Sequence, residues 1–90
     1  MTTTEISVKV VNSLGLHARP AAEFVKLASR FEAEIQVEKD GMQVNGKSIM
    51  GVMTLAAECG STLLIRAEGD DAKAAADALA ALVRRGFSEK

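Results

Sequence analysis

Gly15-Leu16-His17-Ala18-Arg19-Pro20-Ala21 sits where the chain changes period, and the architecture follows from that change. Upstream, Ile6, Val8 and Val10 alternate with Ser7 and Lys9, the pattern of a strand with one buried face, which predicts a strand over residues 6–11. Downstream, Ala21, Phe24, Val25, Ala28 and Phe31 fall on one stripe at helical spacing, with Glu23, Lys26 and Arg30 opposite. That stripe predicts a helix over residues 18–31. Pro20 suits its first turn, because the missing N–H would bond nothing there and the ring already holds a helical φ. The only histidine of the chain is therefore expected at a strand-to-helix junction.

The same reading extends to the rest of the chain. Ile35 and Val37 alternate with Gln36 and Glu38, and Met42 and Val44 flank Gln43. Asp40-Gly41 between them is a two-residue hairpin signal, since a type I′ turn needs positive φ at both positions. Ser48 is placed to cap a short helix running to Thr54 or Leu55. Gly60-Ser61 breaks the chain before a fourth strand with Leu63, Ile65 and Ala67 on one face. Asp70 and Asp71 then offer N-terminal acid to a last helix, whose buried side is Ala72, Ala75, Ala76, Leu79, Leu82 and Val83. Arg84 and Arg85 fall in its last turn and Gly86 stops it, in agreement with the helix dipole at both ends. The order β-α-β-β-α-β-α, with one apolar face per strand and one stripe per helix, predicts an α+β fold. Its form is a two-layer open-faced sandwich, an antiparallel sheet covered by three helices on one face.

Ninety residues make a single domain, 1–90, without linkers or repeats. Apolar residues supply 48% of the chain and aromatics only three Phe, so aliphatics and alanine must build the core. Cys59 is alone, which excludes an internal disulfide, and no Cys/His spacing suggests a metal. It is expected as a small packing residue or a half-exposed thiol near a loop. No cofactor motif is present. A net charge of −1 with no Trp or Tyr argues against nucleic-acid binding. Residues 1–4 are polar and no apolar run approaches the roughly 20 residues that span a bilayer. The expectation is a soluble, monomeric protein of the cytoplasm, not inserted in the membrane.

The junction has a chemistry of its own. A helix start presents unpaired N–H groups and the positive end of a dipole, and so favours an anion. Arg19 adds a fixed charge able to fork onto phosphate oxygens. A nucleophilic imidazole beside such a cradle suggests a histidine that carries a phosphoryl group. The seven-residue string resembles the active-site motif of the histidine-containing phosphocarriers (HPr) of the bacterial phosphoenolpyruvate:sugar phosphotransferase system. Lys47-Ser48-Ile49-Met50-Gly51-Val52-Met53 resembles that family's second signature. Leu63-Leu64-Ile65-Arg66-Ala67-Glu68-Gly69-Asp70 resembles its last strand and turn, and Gly86-Phe87-Ser88-Glu89 its C-terminal ending. The match is collinear from about Ile6 to Glu89.

The resemblance implies strand order 1-4-2-3. It implies that His17 accepts a phosphoryl group on Nδ1 from phosphorylated Enzyme I and passes it to a histidine on the A component of a sugar-specific Enzyme II, with Arg19 holding the phosphoryl oxygens. It also aligns Ser48 with a serine phosphorylated by a dedicated HPr kinase in many bacteria; the motif marks a competent site. Ile49, Met50 and Met53 are too many large apolar groups for one face of a short helix, while Val52 and Leu55 can supply its buried side. Two readings stand for Met50 and Met53, core filling or an exposed docking patch, and the resemblance favours the patch. Other functions stay open beside this one. They are the nitrogen-regulatory branch of the same family, an inert interaction module, and a Cys59–His17 hydrolase, which lacks an orienting third residue. A paralogue working only through its serine would lack the histidine.

Overall fold

The computed structural model describes residues 2–89. In chain order it contains β1 (Thr3–Lys9), α1 (Ala18–Ala28), β2 (Glu34–Lys39), β3 (Met42–Asn45), α2 (Ile49–Thr54), β4 (Thr62–Glu68) and α3 (Ala72–Arg84), followed by a turn, Gly86–Ser88. The four strands form one antiparallel sheet in the order β1-β4-β2-β3, as the family resemblance implies. Ile65 on the central β4 stands opposite Ile6 on one side and Val37 on the other. This register puts Val8, Ile35, Val37, Leu63, Ile65 and Ala67 on one buried face beneath the helices. Glu5, Ser7, Gln36 and Arg66 occupy the exposed face.

Three alternating apolar sets meet in the core. Ala72, Ala75, Ala76, Leu79, Leu82 and Val83 of α3 are all buried, as expected, and α3 lies over β1 and β4. From α1, Ala21, Phe24 and Ala28 are buried, while Val25 and Phe31 pack against the core from its edge. The Asp40-Gly41 turn has φ +51° and +83°, as a type I′ turn requires. Ser48 caps α2, its Oγ accepting from the Gly51 N–H at 3.0 Å.

Several boundaries and positions differ from expectation, each for a physical reason. Helix α1 ends at Ala28 rather than at residue 31, because Arg30 and Phe31 N–H groups turn back to the Leu27 and Ala28 carbonyls in tighter bonds. Lys47 Nζ then donates to the Phe31 carbonyl at 2.7 Å, in the turn after the helix. Strand β1 starts at Thr3, where polar residues give no periodic signal, and ends at Lys9 opposite Thr62, the first residue of β4. Met42 lies exposed on the edge strand. Asp71 is the N-cap of α3 but makes no capping bond. Its carboxylate accepts instead from the Glu32 and Ala33 N–H groups at 2.9 and 2.8 Å, tying the start of α3 to the approach to β2. The Glu32 N–H is the strongest influence and lowers the Asp71 carboxyl below its ordinary value; burial opposes it, and the Ala33 N–H, Asp71's own N–H and Lys47 add to it. A lowered folded-state value means that the clamp stabilises above the ordinary carboxylate range and is lost as pH falls through the lowered value.

Gly15, in the loop before His17, admits no side chain. Its φ is +69°, and a Cβ would overlap the Ala57 carbonyl oxygen and stand 3.0 Å from Glu58 Cα. Gly15→Ala is expected to destabilise the domain by more than the roughly 1–2 kcal/mol of a left-handed residue alone, because the obstacle is backbone. A denaturation midpoint equal to that of the wild type would refute this.

Candidate functional site

His17 is the N-cap of α1, with φ −76° and ψ −172°, and its side chain bonds none of the helix N–H groups. The imidazole turns toward the far end of the chain. Its Nε2 lies 3.0 Å from Glu89 Oε2 and 3.1 Å from Oε1. A carboxylate only accepts, so Nε2 carries a hydrogen, and in the neutral ring the lone pair is then on Nδ1. Among the described residues nothing bonds Nδ1.

The loop before the histidine is held from two sides. Asn12 is buried, and its Nδ2 donates to the Gly15 carbonyl at 2.6 Å and to Glu89 Oε1 at 2.9 Å. Leu16 N–H donates to the Ala57 carbonyl at 2.8 Å, which fastens the loop to the segment after α2. Glu89 is delivered by Gly86, Phe87 and Ser88, all left-handed at φ +66°, +56° and +62°, with the Phe87 ring buried as an anchor. Partial burial works against the Glu89 carboxylate, but the bonds from His17 and Asn12, with the charges of His17 and Arg19, outweigh it. The carboxyl is held below its ordinary value.

Arg19 stands exposed in the first turn of α1 and shares a groove with Leu14, Phe87 and Glu89. Ala21 N–H already bonds the His17 carbonyl and Pro20 has no N–H, so the Ala18 and Arg19 N–H groups are what the helix start offers an anion. On the other side of the imidazole a second groove contains Leu14, Leu16, Met53 and Cys59. Cys59 is exposed, its Sγ 3.6 Å from the Val11 carbonyl, so the thiol bonds backbone and not the imidazole.

Helix α2 packs on α1 through Val52, which is buried, with buried Leu55 closing its end. Ile49, Met50 and Met53 face outward, Met50 being 81% exposed, so core filling is excluded for Met50. Met53 reaches the histidine groove; Ile49 and Met50 do not line it. No hydrogen bond joins Ser48 to His17 among the described residues; the two are related by the packing of α2 on α1. Sequence reasoning missed Asn12, Glu89 and Leu14. Leu14 is 75% exposed between the two grooves. An apolar residue in a polar loop beside a lone histidine was the available signal for it. Nothing local marks the other two.

The site is thus an accessible imidazole at a helix start, its second nitrogen held by a carboxylate, on an open-faced sheet under three helices. Residues 4–85 match the family described as PTS HPr component phosphorylation site. The chain is 49% identical over 84 residues to the Phosphocarrier protein HPr of Treponema pallidum (strain Nichols), covering 93% of this chain and 96% of that protein. It is 51% identical over 81 residues to the HPr-like protein Crh of Halalkalibacterium halodurans, covering 90% and 96%. The crystal structure of HPr-C-His from Thermoanaerobacter tengcongensis superposes with a TM-score of 0.92 at 47% identity, covering 97% of this chain and 98% of that one. The chain belongs to the HPr family of bacterial phosphocarriers. A structure of the Thermoanaerobacter tengcongensis HPr as a dimer also matches, with TM-score 0.77 at 48% identity and 96% and 99% coverage, which runs against the expectation of a monomer. Among the described residues no helix is long and apolar enough to cross a membrane.

Proposed function

We propose that this chain accepts a phosphoryl group on Nδ1 of His17 from phosphorylated Enzyme I and passes it to the A component of a sugar-specific Enzyme II in the cytoplasm. The observation that carries the reading is the pairing of Nε2 with Glu89, which leaves Nδ1 as the free nucleophile. The Nδ1 lone pair attacks phosphorus, the donor's P–N bond breaks, and the Ala18 and Arg19 N–H groups with the Arg19 guanidinium receive the spreading charge. Ile49, Met50 and Met53, with Met53 reaching the histidine groove, serve as one adaptable docking surface for donor and acceptor in turn. Incubation with phosphoenolpyruvate and Enzyme I tests the reading. An acid-labile phosphate that an Enzyme II A component then removes is expected, and an unlabelled protein would retire the proposal.

Ser48 is proposed as the regulatory phosphorylation site, used by an HPr kinase. Phosphate at the start of α2 would place a dianion beside the docking patch, where the donor brings a phosphohistidine of its own. Ser48→Asp and phospho-Ser48 are therefore expected to slow His17 phosphorylation far more than they change melting temperature. Ser48→Ala should do the reverse, losing about 1 kcal/mol of capping while transfer continues. A rate that merely follows stability across the three would leave Ser48 as a cap. A second reading has Ser48 acting alone, in a chain that works only through its serine. The retained His17, held by Glu89, favours transfer.

A further inference from the structure

We infer that Asn12 is a positioning residue for the transfer: its side-chain nitrogen joins the loop before His17 to the C-terminal turn, so that loop and turn set the imidazole as one unit. The inference rests on the carrier reading of His17 and gives a role to a buried residue outside the histidine string.

Asn12 holds both polar groups of Gly15. Its backbone carbonyl accepts from the Gly15 N–H at 3.0 Å, and its Nδ2 donates to the Gly15 carbonyl at 2.6 Å. Nδ2 also donates to Glu89 Oε1 at 2.9 Å, across 77 residues. Both side-chain partners only accept, so the nitrogen and not the oxygen must face them. The donor end of the amide is thereby used in full. Oδ1 is buried and finds no protein partner among the described residues. A buried amide with one idle end costs stability that an aliphatic side chain of similar volume would not. What Asn12 supplies in return is the junction.

The geometry on either side gives that junction leverage. Gly15 is left-handed at φ +69°, and the Ala57 carbonyl oxygen occupies the space a Cβ would need. Leu16 N–H is tied to that same carbonyl at 2.8 Å, and His17 follows directly. Across the junction, Gly86 opens the C-terminal turn against the same segment, where a Cβ would stand 3.6 Å from Val11 Cγ2 and 3.7 Å from Asn12 Cβ. Among the described residues, the only other hydrogen bonds between the two segments are those of His17 itself. Without the Asn12 nitrogen the loop would keep its bond to Ala57 and the turn its buried Phe87. The fold would survive, but the two segments would lose their common register. Alignment of Nδ1 on phosphorus is sensitive to displacements of about 1 Å.

Asn12→Ala, Glu89→Ala and the double variant test this. Each is labelled by Enzyme I, with kcat and KM resolved, and by phosphoramidate, a small phosphoryl donor that needs no protein partner. Asn12→Ala is expected to lower kcat about 10–100-fold. KM should stay unchanged, because the residue is buried. Phosphoramidate labelling should slow in the same variant. The melting temperature should move by about 5 °C or less, since removing the idle Oδ1 offsets part of the two lost bonds. In the Glu89→Ala background Asn12→Ala should add little, one end of the junction being gone already. Asn12→Asp keeps the shape but turns an acceptor toward two acceptors, and should label no faster than Asn12→Ala. Rates that follow melting temperature, a change in KM alone, or additive effects in the double variant would overturn the inference. If Enzyme I fails to label even the wild type, the carrier reading falls and phosphoramidate decides. Slower labelling of Asn12→Ala that disappears in the Glu89→Ala background would then sustain the inference, and equal labelling would overturn it.

Discussion

His17→Ala is expected to abolish labelling from phosphoenolpyruvate and Enzyme I while leaving the fold close to intact. There is no second histidine to receive the phosphoryl group. The stability cost should stay at about 1 kcal/mol or less, because the side chain is part-exposed and caps nothing in α1. Glu89 keeps its bond from Asn12 in the variant. Acid-labile phosphate on His17→Ala at the wild-type level would remove His17 from the reaction altogether.

Arg19→Glu should follow closely in effect, slowing transfer about 10²–10³-fold with an unchanged circular dichroism spectrum. The helix tolerates the exchange, since an acid in a first turn suits the dipole. On the proposed transfer the phosphoryl oxygens should not tolerate it, because the fixed positive charge at the helix start becomes a negative one. Arg19→Glu also removes a charge that helps hold Glu89 ionised. Arg19→Lys should fall between, keeping the charge and losing the planar fork. Equal rates for wild type and Arg19→Glu would reduce Arg19 to a surface residue.

What could be read in the chain beforehand was what depends on neighbours in sequence. The period change around His17, the Asp40-Gly41 turn, the Ser48 cap and the apolar stripe of α3 are all local, and all appear where expected. The strand order came from the family resemblance, because periodicity says which face a strand buries and not beside which strand it lies. The two carboxylate clamps were invisible for a related reason. Glu89 meets His17 across 72 residues, and Asp71 meets Ala33 across 38. In sequence Asp71 looks like an ordinary helix-starting acid, and Glu89 like part of a polar ending. Only the closure of the sheet brings each to its partner. The exposure of Met50 was half legible: too many large apolar groups crowd a short helix, but which of them turn outward depends on how α2 leans on α1.

The sheet order also bears on how the molecule acquires its structure. Only the β2–β3 hairpin pairs strands close in the chain. β1 bonds β4 alone, with Thr3 opposite Glu68, and β4 bonds β1 and β2 on its two sides. Pairings at such separation must meet the entropy of closing a long loop before they return any stability, which slows refolding relative to helical bundles of the same size. The hairpin can form early, but β1 has no partner until β4 is docked. The histidine loop, carried between β1 and α1 and fastened by Ala57 and Glu89, cannot take its working shape before that step. Refolding of the sheet and recovery of the shaped histidine loop are therefore expected to share one event, the arrival of β4.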